Sequence, residues 1–186
     1  RNNDVKADDA FSVASNITNL MFENISTIHF DKKAGTLVDT FDGNKGTTVT
    51  VFDAAYSLEA LRIFQRAIDA LPVGYGSADG AKSLESAQGK EALKLIKTQA
   101  DFLIKNAKDK NGLYVSKIDI KTNQKSDLDL GTQFAVVRGL TAAFLATGDK
   151  NYRQEARKLF LAIEKNMYNE KLGTYVDSSS EYTPYT

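Results

Sequence analysis

Three stretches of this chain read almost alike: "DKKAGTLVD" at Asp31–Asp39, "DKNGLYVS" at Asp109–Ser116 and "EKLGTYVD" at Glu170–Asp177. In each, polar residues lead into a glycine and a β-prone triplet follows. Gly35, Gly112 and Gly173 permit the positive φ that a sharp turn beyond a helix requires. The triplets "TLV", "LYV" and "TYV" have the character of short strands. A phrase that recurs between helices marks a repeat architecture, in which each copy joins one supersecondary unit to the next.

The segments between the copies have helical periodicity. Ala10, Ala14, Ile17, Met21, Ile25 and Ile28, with Val13 and Leu20 alongside, predict one amphipathic helix over roughly 9–28. Thr47–Phe52 is rich in Thr and Val and reads as extended. Asp53 then stands in N-cap position before "AAYSLEALRIFQRAIDAL", which stops at Pro72. Pro72–Lys82 carries three glycines and reads as a loop. A third helix, about Ser86 to Ala107, sets Ala92, Leu95, Ile96, Gln99 and Leu103 on one face. The fourth, about 129–147, is apolar nearly all round, which marks a helix enclosed by others. Gly148 suits its C-terminal cap and Asp149 the N-cap of a fifth helix. That helix is amphipathic through Tyr152, Ala156, Leu159, Phe160, Ile163 and Met167. The order is amphipathic, enclosed, amphipathic, enclosed, amphipathic. The predicted class is all-α: about five long helices in hairpins, with short extended segments after glycine turns, in one domain over 1–186.

Composition excludes several functions. Lys plus Arg is 24 and Asp plus Glu is 24, so the basic excess of a nucleic-acid binder is missing. There is no cysteine, which removes disulfides, zinc thiolates, iron–sulfur clusters and thiol nucleophiles. His29 is the single histidine, so a multi-histidine metal site is excluded; no metal and no cofactor is implied. The longest apolar run, Phe134–Ala146, is short for a membrane span and contains Arg138. "DKNG" at Asp109–Gly112 lacks the later acidic ligand of a calcium loop, since position twelve is Ile120, and reads as a turn. The chain opens on Arg1, which points to a processed or cut N-terminus.

Outer helix, glycine turn, short extended piece, inner helix: this order resembles the α/α-toroid, or six-hairpin glycosidase-like, superfamily. The residues that carry the resemblance are 129–177, "DLGTQFAVVRGLTAAFLATGDKNYRQEARKLFLAIEKNMYNEKLGTYVD". There an inner helix, a "TGD-x-x-Y" connection, an outer helix and an acidic turn with "GTYVD" follow one another. A complete member has six helical hairpins. The resemblance therefore implies either a fragment of a larger (α/α)6 toroid, partnered by its own missing remainder, or an arc of hairpins that serves alone.

The resemblance also implies a cleft at one end of the inner helices, with acids on the loops that enter them. Mapped onto this chain, those positions are Asp53 with Tyr56 and Glu59, Asp127 and Asp129 with Gln133, and Asp177 with Glu181. A glycoside hydrolase or lyase would use Asp53 and Asp129 as its acid/base pair. The other reading of both is helix N-caps. Substrate contacts would come from Tyr56, Gln133, Arg138, Tyr175 and Asp177. For Arg138 the alternative is a salt bridge to Glu59 or Asp69. Glu59, Arg62, Arg66 and Asp69 form a polar stripe that lines a cavity or pairs with itself. His29 sits at a helix end, where a cation suits the dipole. The sugar epimerases of the superfamily use two histidines, and this chain has one, which counts against epimerase activity by this segment alone. There is no Trp to serve as a sugar platform, so tyrosines would substitute. A glycan or small sugar is the expected ligand. The competing reading is a non-catalytic helical-repeat binding module of a surface or periplasmic protein; the compartment is open, with an extracytoplasmic one favoured.

Overall fold

Helix α1 (Asn2–Glu23) opens the chain and continues into a π-helical segment, Asn24–His29. The computed structural model describes residues 2–70 and 86–177, with side chains at 12–68 and 86–177. The remaining long helices are α2 (Val51–Ala70), α3 (Ala87–Asn106), α4 (Leu130–Thr147) and α5 (Lys150–Met167). The class is all-α, as the periodicity predicts. The loop expected at Pro72–Lys82 lies outside the described residues, as do Asp69's side chain and Glu181.

Among the described residues eight short strands form four antiparallel pairs. β1 (Phe30–Asp31) pairs with β2 (Thr36–Leu37), β3 (Thr40–Phe41) with β4 (Asn44–Lys45), β5 (Thr48–Thr50) with β6 (Lys117–Asp119), and β7 (Tyr168–Asn169) with β8 (Thr174–Tyr175). The first and last of these pairs are two of the repeated phrases, and the middle phrase makes a bridge between Lys108 and Tyr114.

All three phrases close in the same way. Gly35, Gly112 and Gly173 have φ of +76°, +84° and +64°. An Asx side chain at the head of each turn accepts backbone N–H bonds across it. Asp31 Oδ1 accepts from Lys33 and Ala34, Asp109 Oδ1 from Asn111 and Leu113, and Asn169 Oδ1 from Lys171 and Leu172. Each turn thus satisfies its own polar groups locally, as Asx turns do.

The helices pack in two layers. α2 and α4 lie against each other; α3 packs on both, α5 on α4, and α1 meets α2 through a parallel stack of Phe22 on Phe64 with ring centroids 4.3 Å apart. The core between the layers is built from Leu58, Leu61, Ile96, Leu103, Leu140, Leu159 and Ile163, all essentially buried. Tyr152, of the "TGD-x-x-Y" connection, donates its hydroxyl to Asp101 Oδ1 at 2.9 Å and ties α5 to α3.

Among the described residues α2 and α4 form the most extensive helix pairing. Gly139 faces the backbone of α2, and a Cβ there would fall inside 3.0 Å of the Ala55 carbonyl oxygen and touch Leu58. Ala54, Ala55, Ala142 and Ala143 are buried and keep this seam narrow.

Three expectations need correction. Asp53 is not an N-cap, because α2 begins two residues earlier, directly on the end of β5. Among the described side chains the apolar stripe of α1 is not a packed face: Val13, Ile17, Leu20 and Met21 are each more than half exposed, while Phe22 is buried against Phe64 of α2. Helix α4 is enclosed by α2, α3 and α5 but open on its fourth side, where Arg138, Thr141 and Leu145 face solvent. By length and composition alone α4 could cross a membrane, with mean hydropathy 1.2 over 18 residues; half of it is buried inside the protein, which accounts for the same composition.

Gly139→Ala is expected to lower unfolding free energy by about 2 kcal/mol, the overpacking cost of one methyl against backbone. Chemical denaturation measures it, and a neutral result would mean that the two helices separate freely.

Candidate functional site

The last residue of each repeated phrase lands at the entrance of an inner helix. Asp39 accepts the Thr50 hydroxyl at 3.2 Å, one residue before α2. Ser116 donates its hydroxyl to the Asp129 carboxylate, the N-cap of α4. Asp177 Oδ1 accepts the backbone N–H of Leu130 at 2.6 Å, the first residue of the same helix. The phrases are therefore both joints and latches.

At the α4 entrance the polar groups are absorbed by structure. Asp129 accepts from Thr132 N at 2.7 Å, from the Thr132 hydroxyl at 2.6 Å and from Ser116. Partial burial would raise its pKa, but these donors outweigh it and hold the carboxyl below the usual range. Gln133, expected at a substrate, is fully buried. Its amide accepts from Tyr114 N at 2.7 Å and donates to Tyr114 O and Asp129 O, which leaves no surface for a sugar. Gln99 does the equivalent work for the first phrase, accepting from Leu37 N and donating to the Thr36 hydroxyl. Tyr175 is half-buried; it packs edge-on against Phe134 and Tyr168 and donates its hydroxyl to Glu164, which raises the phenol's pKa. Asp127 is exposed and its carbonyl receives Ser116 N.

The α2 entrance is different. A cleft of about 340 Å³ opens there, lined by His29, Leu37, Val38, Asp39, Thr40, Thr50, Asp53 and Ala54. Asp53 comes from the first turn of α2, and its carboxylate has no hydrogen bond or ion pair among the described residues. His29 is the last residue of the π-helical segment, a distortion that frequently accompanies functional sites. Its Nδ1 lies 3.1 Å from the Thr40 hydroxyl, and its Nε2 has no partner among the described residues. Three titratable groups, one imidazole and two carboxylates, thus converge on one cavity. Among the described residues no such group is arranged to hold a metal ion.

Asp53 and Asp129 are not brought to this cleft together: Asp129 is absent from its lining. Sequence reading missed Asp39, Thr40 and the convergence of His29. The available signal was the phrase itself, since Asp39 occupies the same place in its copy as Asp177.

A second cavity, about 350 Å³, lies on the open face between α2 and α4, lined by Glu59, Arg62, Ile63, Val137, Arg138, Thr141, Ala142 and Leu145. Arg138 makes a two-pronged pair with Glu59, Nε to Oε1 at 2.8 Å and Nη2 to Oε2 at 2.7 Å. Contrary to the buried arginine that the sequence implies, its side chain is 65% exposed. Phe52 and Tyr56 stack on the exposed surface of α2, 43% and 54% exposed, and line neither cavity.

No family model matches the chain, and no curated protein matches it. Its fold is shared with solved structures. A sugar epimerase from a ruminal bacterium superposes with a TM-score of 0.64 at 17% identity, over 84% of this chain and 37% of that one. A D-mannose isomerase superposes with a TM-score of 0.56 at 20% identity, over 82% of this chain and 38% of that one. The chain spans little more than a third of the length of these proteins. What it has in common with them is the fold.

Two substitutions check the division between the entrances. Gln133→Leu is expected to cost about 2 kcal/mol, because it strands the buried N–H and C=O of Tyr114; urea titration measures it. Asp129→Ala is expected to cost about 1 kcal/mol as a lost cap. The folded pKa of Asp129 lies below the unfolded value near 3.9, so its contribution is present above that pH and disappears as pH falls through the folded value. The difference in Tm between the parent and Asp129→Ala is therefore expected to close as pH is lowered from about 5 toward 2.

Proposed function

We propose that this chain belongs to a carbohydrate-active protein and holds a small sugar in the cleft at the start of α2. The observation that carries the reading is the convergence of His29, Asp39 and Asp53 on one cavity at the end of an inner helix. Carboxylates accept hydroxyl protons in charge-assisted bonds, the standard means of holding a polyol. An imidazole beside them adds ring nitrogens that can accept or donate a hydrogen bond or carry a proton between groups. That combination suits proton transfer at a carbon next to a sugar carbonyl, the kind of step an epimerase or isomerase needs. The likeness in fold to a sugar epimerase and a D-mannose isomerase supports this direction.

Paired-carboxylate hydrolysis by Asp53 and Asp129 is the less favoured form of the reading. Its second carboxylate is saturated by capping bonds and held ionised, so it is poorly placed to donate a proton. A second reading, non-catalytic glycan binding, is favoured by the same fact together with the single histidine: only one imidazole is present to serve both faces of a proton transfer.

The test is calorimetric titration of the purified chain with glucose, mannose and their 2-epimeric or ketose partners, combined with NMR of product formation. Asp53→Ala and His29→Ala are expected to weaken binding at least tenfold with Tm shifted by no more than about 2 °C, since both side chains are partly or fully exposed. Binding with turnover supports the enzymatic form, and binding without turnover the module. If no sugar binds, or both variants bind like the parent, the cleft is not a sugar site.

A further inference from the structure

The groove between α2 and α4 shares no lining residue with the cleft at His29. Its polar groups are unequally matched. Glu59 gives one carboxylate oxygen to Nε of Arg138 and the other to Nη2. The Thr141 hydroxyl donates to the Val137 carbonyl of its own helix at 2.7 Å. Arg62, three residues beyond Glu59 and on the same face of α2, is half-buried and lines the groove. It has no hydrogen bond or ion pair among the described residues. The polar stripe of α2 therefore does not pair with itself: its carboxylate is taken by the neighbouring helix, and an arginine is left over.

Two guanidinium groups and one carboxylate leave the groove with a single excess positive charge. A guanidinium stays charged at any working pH and only donates hydrogen bonds. Drawing one partly out of water without an acceptor is unfavourable, and an anion in the groove reverses that cost. The remaining wall is apolar: Ile63 and Leu145 are 64% and 56% exposed, beside Val137 and Ala142. These features select a ligand together. One excess charge is balanced by a monoanion. A planar carboxylate matches the fork of a guanidinium with two parallel bonds. The exposed aliphatic side chains are covered by a hydrocarbon body. A neutral sugar supplies no charge for Arg62.

We propose that the α2–α4 groove is a binding site for a small monocarboxylate with a hydrocarbon body. Arg62 receives the carboxylate beside the Glu59–Arg138 pair, and the hydrocarbon covers Ile63, Val137 and Leu145. The site is separate from the cleft and does not depend on the sugar reading.

NMR titration of the chain with acetate, butyrate, hexanoate, hexanol and inorganic phosphate, read at the Ile63 and Leu145 methyl groups, tests it. Hexanoate is expected to shift these resonances saturably and to bind about tenfold more tightly than acetate. Arg62→Gln is expected to weaken hexanoate about fivefold or more. Glu59→Gln keeps an acceptor for Arg138 but adds one net positive charge, and is expected to tighten hexanoate about threefold while leaving hexanol unchanged. A structural role for Glu59 alone would move the affinity the other way. The proposal is overturned if the methyl groups do not respond to hexanoate, or if hexanol or phosphate binds as tightly. It is equally overturned if Arg62→Gln binds like the parent, if Glu59→Gln fails to tighten binding, or if the shifts follow protein concentration instead of ligand, which would mean that a second copy covers the groove.

Discussion

The architecture depends on how closely α2 and α4 approach. A helix pair this near tolerates no side chain at the crossing, and Gly139 against the Ala55 carbonyl is the point of tightest contact. Small residues on both sides, Ala54, Ala55, Ala142 and Ala143, extend the seam. Because the pair is narrow, α3 reaches both of its members and one outer helix serves two inner ones. The faces of α2 and α4 that carry Ile63, Arg138, Thr141 and Leu145 are exposed, and the groove with Glu59 and Arg138 lies there.

The turns between layers follow a division of labour. A glycine with positive φ reverses the chain, an Asx side chain satisfies the reversal, and a buried glutamine holds the short strand that follows. Gln99 and Gln133 each bond the extended residue two positions beyond the glycine. Buried amides are costly unless every donor and acceptor is used. Here they are used on main-chain groups that would otherwise be stranded. The entrances of the inner helices inherit this economy unequally: α4 is capped by Asp129, Ser116 and Asp177, whereas α2 runs straight out of β5 and leaves the Asp53 carboxylate uncommitted.

Much of the fold was legible. The three glycine phrases and the alternation of helix character predict the helices, their class and the joints, because periodicity and turn chemistry are local signals. The Glu59–Arg138 pair was foreseeable as one of two partners. Harder to read was anything set by the third dimension. That Gln133 is consumed by Tyr114 depends on how α4 docks against the middle phrase. That His29 faces Asp39 and Asp53 depends on a π-helical segment and a β3–β4 hairpin that no periodicity announces. Asp53 looked like a cap because Asp is a favoured cap, yet Val51 already pairs with Ser116 and starts the helix earlier. The exposure of the α1 stripe was likewise invisible, since an amphipathic pattern says that a face is apolar without saying what covers it.

Ser116 receives the Val51 N–H on its carbonyl at 2.9 Å, while its own hydroxyl reaches the Asp129 carboxylate. One residue therefore touches the first turn of α2 and the first turn of α4 at once. The β5–β6 pairing reinforces the link, since Thr50 stands opposite Lys117. The two inner rods are geared at their heads: whatever displaces the wall of the cleft at Asp53 drags on the collar of its neighbour, so the rim moves as a unit or not at all.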